Sequence, residues 1–321
     1  MNLYTRLSLI SSALALLIGT FVVLFSTTTF SSWQNLLIAT FILAQTHFVI
    51  GFIYQSRSVF RQGKPIRMKM AFIILSLFAV LTTLYILFTD QITLLGLFVV
   101  PYFMVHILLN EHTLATQQTG IEYPWTLFVG IFGWFTALLL LAVPGNSFFY
   151  QLDLSYFRMP PDVFLPYLTD YAPLWVFNEF ALGMLVLTIG ILIYGVFRLR
   201  IWYSGIPLLL VVFAGTSISL FFEPIAYVYL FTFILSYHFI LWMLHFGIMF
   251  HTRPKKELYT YILLHLVVAV PLLVAAIFRE GMLGWIYAIF LHSWTLAIMT
   301  YIHITLAFLN EKWFQRWFRL T

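Results

Sequence analysis

The sequence predicts an all-α, polytopic transmembrane bundle of about ten spans with both termini in the cytoplasm, and three observations predict it. The first is composition. Of 321 residues, 62% are hydrophobic and 8% charged, with a mean hydropathy of +0.98, whereas a soluble domain carries about 25% charge. The second is continuity. The apolar runs are unbroken over the roughly 20 residues that a helix needs to cross a bilayer, and they do not alternate as barrel strands do. The third is where the bases lie. They cluster in short segments between the runs, and the clusters fall on one side.

Taken in order, the spans cover roughly 7–27, 33–55, 69–89, 91–111, 124–143, 173–197, 205–222, 224–250, 258–278 and 284–310. The first follows only Arg6 and reads as a retained span, since no small-residue cleavage site interrupts it. Two joins are tight, Thr89-Asp90-Gln91 and Glu223-Pro224, and proline suits a helix start. A cytoplasmic N-terminus puts Arg6, Arg57, Arg61, Lys64, Arg67, Lys69, Arg198, Arg200, Arg253, Lys255, Lys256, Lys312, Arg316 and Arg319 inside. Only Arg158 and Arg279 fall outside, so the span count and the positive-inside rule agree. The longest loop, 144–172, is then external, and Phe148, Phe149, Tyr156 and Phe157 suit either a segment lying in the interface or an ordinary connection. The tail from Lys312 to Arg319 mixes aromatics with bases, as interfacial anchors do. The whole chain, 1–321, reads as one integral membrane domain, expected in the inner membrane of a bacterium.

Several chemistries are excluded. With no cysteine there is no disulfide, no Cys-ligated iron–sulfur cluster, no thiolate haem ligand and no thiol nucleophile. No His-Glu-x-x-His or Gly-x-Ser-x-Gly motif occurs. All lysines lie in loops, which disfavours a retinal Schiff base. The net charge of +5 is an orientation signal and implies no nucleic acid partner.

What remains is histidine. His47, His245, His265 and His303 each lie eight to ten residues from cytoplasmic bases, about 12–15 Å along a helix. His106 sits five residues before Glu111, somewhat shallower. His238 lies about 10 Å further out than His245, on the same stripe of its helix, and His292 about 16 Å further out than His303. The spacing repeats: His106 follows His47 by 59 residues and His303 follows His245 by 58, each second helix ending in Asn-Glu. A parallel internal repeat relating spans two and four to spans eight and ten would explain this. A lone membrane histidine often only hydrogen-bonds to a neighbouring helix, but five at one depth suit a metal, for which imidazole is the usual nitrogen ligand. His112 and His251 read as surface residues at helix ends. Glu179 is the one acid clearly inside a span.

The pieces His47-Phe48-Val49-Ile50-Gly51 and His245-Phe246-Gly247 resemble the His-Phe-Gly stretch of the Brp/Blh-type carotene dioxygenases. Those are all-helical membrane enzymes whose single iron is held by histidines from separate spans. The family's Pro-His-Gly and His-Phe-Gly-x-x-Asp signatures are not matched. The resemblance implies a histidine-iron oxygenase acting on a membrane-dissolved substrate. Histidines on alternate spans are also similar to haem A synthase.

The functional expectation is therefore an iron-dependent membrane oxidoreductase for a lipid or other apolar small molecule, served by a redox partner. His47, His106, His245 and His303 are the expected metal ligands, converging on one site. His265 joins them, Glu111 and Glu311 orient the imidazoles or complete the shell, and His238 with His292 marks a second cofactor depth. Haem b with electron transfer, and a proton-coupled transporter with a histidine relay, are the alternatives.

Overall fold

A span of apolar residues can satisfy its backbone in lipid only by bonding within itself, so such runs become helices. The computed structural model describes residues 3–24, 29–89, 102–103, 105–107, 109–114, 116, 174–199, 224–279, 281–291, 293–310 and 312–320. Among them the regular structure is helical throughout, with no strand. The long helices are α1 (Leu3–Leu24), α2 (Thr29–Phe60), α3 (Ile66–Phe88), α4 (Leu174–Leu199), α5 (Pro224–His251) and α6 (Lys255–Ile277). They are followed by α7 (Gly284–Phe290), α8 (Ser293–Ala307), a 3-10 turn (Phe308–Asn310) and α9 (Lys312–Trp317). The described residues between 102 and 116 are helical as well.

Among the described residues, four helices are long and apolar enough to cross a membrane: Asn35–Phe60, Ile66–Ile86, Thr232–His251 and Lys255–Ile277. The described part of the chain is thus all-helical, with the apolar helices of a membrane protein. The expected spans 124–143 and 205–222, most of 91–111, and the loop 144–172 lie outside the described residues. Of the four, α2 and α5 are mostly buried, while α3 and α6 are mostly exposed. Ile74, Leu77, Phe78, Leu81 and Tyr85 form an apolar outer face on α3, as a lipid-facing helix requires. Proline sets two of the starts: Pro65 precedes α3 and Pro254 precedes α6, where its fixed φ is already helical and its missing N–H costs nothing.

The expected span 284–310 departs from one continuous helix. It is broken between α7 and α8, where Leu291 leaves the helical region. A span-length hydropathy window does not register this break, because the longer runs that flank the polar residues His292, Ser293 and Thr295 are apolar. Side chains meet the carbonyls that the break releases. Gln45 Nε2 donates to Phe290 O at 2.9 Å, and Thr295 Oγ1 donates to Ile289 O. A broken helix is tolerated at membrane depth where such donors replace the lost ladder bonds.

The chain divides into two compact units. Unit 1 comprises Met1–Thr40, Met104–Asp153 and Leu165–Met249, and unit 2 comprises Phe41–Phe103, Leu154–Phe164 and Phe250–Thr321. In unit 1, Thr40 Oγ1 lies 3.3 Å from Ser236 Oγ, which ties α2 to α5. In unit 2, α8 lies along α3, and Val59, Met68, Phe72, Leu306, Leu309 and Leu320 form an apolar cluster. The tail reaches this cluster through a reversal at the end of α9. Leu320 N donates to Gln315 O at 2.8 Å and Arg319 N to Arg316 O at 3.2 Å. Arg319 holds a left-handed φ of 48° there. This is the double-bonded helix ending usually built with glycine. It turns Leu320 inward and leaves Trp317 and Phe318 exposed beside Arg316 and Arg319, the mixture expected of an interfacial anchor.

Candidate functional site

In unit 2, His47, Phe48 and Gly51 occupy one turn of α2. His47 and Gly51 are four residues apart and therefore share a face. His303 of α8 fills the notch they make. Its ring centroid is 4.8 Å from that of His47, at an interplanar angle of 67°, and 5.0 Å from that of Phe48. A methyl group built on Gly51 would lie 3.1 Å from His303 Cε1 and 3.3 Å from Nδ1. Lower down the same pair of helices, Gln55 Nε2 donates to Leu306 O. Contacts advance in the same chain direction on α2 and α8, so the two helices run parallel, as expected for spans two and ten. His47 is buried and His303 half-buried.

His265, also in unit 2, sits on α6 against Tyr261, ring centroids 4.3 Å apart. Tyr261 packs in turn on Phe250 and Tyr54. His265 Nδ1–H donates to Tyr261 O at 2.9 Å, one turn back. That bond makes Nε2 the basic nitrogen, the tautomer that a metal-binding histidine adopts.

Unit 1 holds a different arrangement. Ser236, Tyr237 and His238 are consecutive, and all three are buried. Consecutive helical residues point in three directions, so α5 is enclosed on every side at this level. The Tyr237 hydroxyl donates to Glu111 Oε2 at 3.5 Å and lies 3.1 Å from Ser8 Oγ. A phenol has a single proton to give, so Ser8 is the donor in the second contact. The His238 ring meets His106 edge to face, centroids 5.7 Å apart. His106 Nε2 accepts from Asn110 Nδ2 at 2.8 Å, one turn along its own helix. That amide occupies the lone pair which a metal at Nε2 would require. His245 is buried against Trp242 and Phe246 on its own helix.

Of the expected ligands, His47, His265 and His303 belong to unit 2, and His106 and His245 to unit 1. Unit 2 brings His47 and His303 together. Unit 1 gives His106 the neighbour His238, and Glu111 the phenol of Tyr237. His112, expected at the surface, is buried because the helix does not end there: helical residues continue to 116. His251 is exposed, as expected, and so is Glu179. His292 and Glu311 lie outside the described residues. Among the described residues, no three His, Asp or Glu side chains group closely enough to hold a metal ion by themselves. Sequence reasoning gave no role to Tyr237 and Ser8, and saw Asn110 only as part of the Asn-Glu ending of its helix. The available signal was the run Ser236-Tyr237-His238, three polar residues together in an otherwise apolar span.

Geometry tests whether the His47–His303 pair suits a metal. Two imidazoles bound to one ion through nitrogens at about 2.0–2.1 Å have ring centroids about 4.5–5.3 Å apart in adjacent positions and about 6.5 Å apart in opposite positions. The observed 4.8 Å lies in the adjacent range and equally in the roughly 4.5–7 Å of an ordinary edge-to-face ring contact. It is too short for the two axial ligands of a haem.

Comparison of the chain with protein-family models, curated proteins and solved structures finds no match in any of the three.

Proposed function

We propose that the chain is an inner-membrane metalloprotein in which His47 and His303 hold a non-haem iron used to oxidise a lipid or isoprenoid. The observation that carries this reading is the imidazole pair, two histidines from parallel helices at a centroid separation of 4.8 Å. Ionisable residues are costly at membrane depth, and they concentrate where a site needs them. Iron, when bound, supplies the one-electron and oxygen chemistry that side chains lack. The chain's own contribution is placement. The notch of α2 holds the His303 ring, Phe48 covers one side of it, and the apolar surroundings exclude water. Exposed apolar helix faces such as that of α3 suit a substrate that arrives through the bilayer. His265, with Nδ1 donating to a carbonyl, does not group with the pair. A redox partner delivers the electrons.

In the orientation proposed, both termini and the turn at 61–65 are cytoplasmic. A reporter active only in the cytoplasm should work when inserted after Gly63 and fail after Gly281. The reverse pattern overturns the orientation.

Metal analysis of the purified protein, with an optical spectrum, tests the function. The expectation is iron without a Soret band, lost on His47→Ala or His303→Ala. A Soret band supports haem instead. A metal-free protein removes the enzyme reading. One observation favours a second reading, proton-coupled transport: the hydrogen-bonded chain Ser8–Tyr237–Glu111 in unit 1 is built as a proton relay is. A metal-free protein that moves protons in vesicles, and stops doing so on Tyr237→Phe, supports that reading.

A further inference from the structure

Two basic stretches of unit 2, far apart in the sequence, meet beside the end of α2. The segment 57–69, which ends α2 and begins α3, carries five bases and no acid. The tail 312–320 carries three bases and no acid. One apolar cluster draws them together. It includes Val59 of α2, Met68 and Phe72 of α3 and Leu320 of the tail, with Phe314 packed against it. Arg61 stands two residues from Val59, Arg67 adjoins Met68, and Arg319 adjoins Leu320. The bases therefore converge where the cluster closes. The tail is held in place there. Gln315 Nε2 donates to Leu309 O at 2.6 Å, and the reversal at Arg319 brings Leu320 back. Arg61, Lys64, Arg67, Arg316 and Arg319 are all exposed.

The geometry points to a binding surface for anionic phospholipid headgroups, shared between the α2–α3 turn and the tail. Like charges gathered on one surface repel, and a bound anion offsets that repulsion. Guanidinium groups match phosphate oxygens, which they can meet two bonds at a time. The neighbours of these bases identify lipid as the source of the phosphate. Ile66 is 69%, Trp317 80% and Phe318 58% exposed. Such side chains gain by burial at the boundary between headgroups and acyl chains, whereas a dissolved phosphate offers them nothing. The join between α5 and α6 is also basic, but there Glu257 pairs with Arg253 at 3.2 Å. Retention of bases on one side of a membrane accounts for each stretch separately. It does not account for a tail that turns back to add its bases to those of the turn. The surface depends on neither the iron nor the orientation of the chain, because the cluster holds both stretches together in either case.

The test uses full-length protein in nonionic detergent, titrated with dioleoyl-phosphatidylglycerol or dioleoyl-phosphatidylcholine, with bound lipid counted by native mass spectrometry. Wild type should prefer phosphatidylglycerol. A base near an anionic surface is worth about fivefold in affinity. The double variant Arg316→Gln/Arg319→Gln should therefore bind phosphatidylglycerol about 20–30-fold more weakly, with phosphatidylcholine unchanged. Leu320→Ser keeps every base but removes the side chain that seats the tail, and it should weaken phosphatidylglycerol binding as well. The two arginines are exposed, so their variant keeps the experiment informative if Leu320→Ser loosens the cluster too far. Equal affinity for the two lipids, or unchanged phosphatidylglycerol binding in Arg316→Gln/Arg319→Gln, overturns the proposal. Wild-type binding in Leu320→Ser overturns the sharing of one surface by the two stretches. Displacement of the lipid by excess inorganic phosphate overturns the choice of lipid as the source.

Discussion

Replacing Tyr237 by phenylalanine removes one oxygen from an otherwise unchanged ring, and its cost can be worked from the contacts. Tyr237 is 1% exposed, so water cannot replace what is lost. The hydroxyl accepts from Ser8 at 3.1 Å and donates to Glu111 at 3.5 Å. Depriving a buried acceptor of its donor costs about 1–3 kcal/mol in soluble proteins. Hydrogen bonds between membrane helices are weaker, averaging about 0.6 and reaching about 1.7 kcal/mol. Two bonds of these lengths therefore give about 1–2 kcal/mol, with Glu111 the larger loser because it is a carboxylate. For 321 residues that corresponds to a fall of about 1.5–3 °C in Tm. The assay is thermal unfolding in detergent of wild type, Tyr237→Phe, Ser8→Ala and the double variant. Because the two residues share one bond, the double variant should lose less than the sum of the single losses. A Tyr237→Phe protein that unfolds within about 1 °C of wild type, with strictly additive Ser8→Ala, would refute the network.

Other expectations are simpler. Gln45→Leu removes the donor to Phe290 O at the break before α8 and should lower stability by about 1 kcal/mol, seen as a lower Tm. Arg319→Gly relieves a non-glycine residue held at φ 48° and should stabilise by about 0.5–1 kcal/mol; destabilisation would show that the Arg319 side chain has a role of its own. Arg253→Ala breaks the exposed, same-helix pair with Glu257 at 3.2 Å and should change stability by no more than about 0.5 kcal/mol. Glu179→Gln, at an exposed position on α4, should leave both stability and metal content unchanged; loss of metal would place Glu179 in the site.

The helices were legible because a bilayer leaves an apolar run little choice. The basic clusters at 57–69 and 253–256 likewise mark where α2 ends and α6 begins. Depth along the chain put His47, His106, His245 and His303 at one level, and of these the contact between His47 and His303 lies within unit 2. Depth could not identify His238 as the neighbour of His106. That contact depends on how far the helices are rotated about their axes, which an apolar run without a polar face does not record. The break before α8 was invisible for a related reason. The amide that meets a carbonyl at the break, that of Gln45, lies 245 positions away in the chain. Tyr237 looked like one more aromatic in a chain with 18 tyrosines and 35 phenylalanines; only its partners give it a role. Gly51 stands in a short sequence motif, and the motif does not record that a side chain there would meet the ring of His303.

The central claim is that His47 and His303 bind one ion in adjacent positions, and X-ray absorption at the iron edge tests it most directly. The account predicts imidazole nitrogens at about 2.0–2.2 Å in wild type, with His47→Ala and His303→Ala each releasing the iron, and the double variant no worse than either. Porphyrin nitrogens around the iron, or an iron shell unchanged when both histidines are replaced, would contradict it.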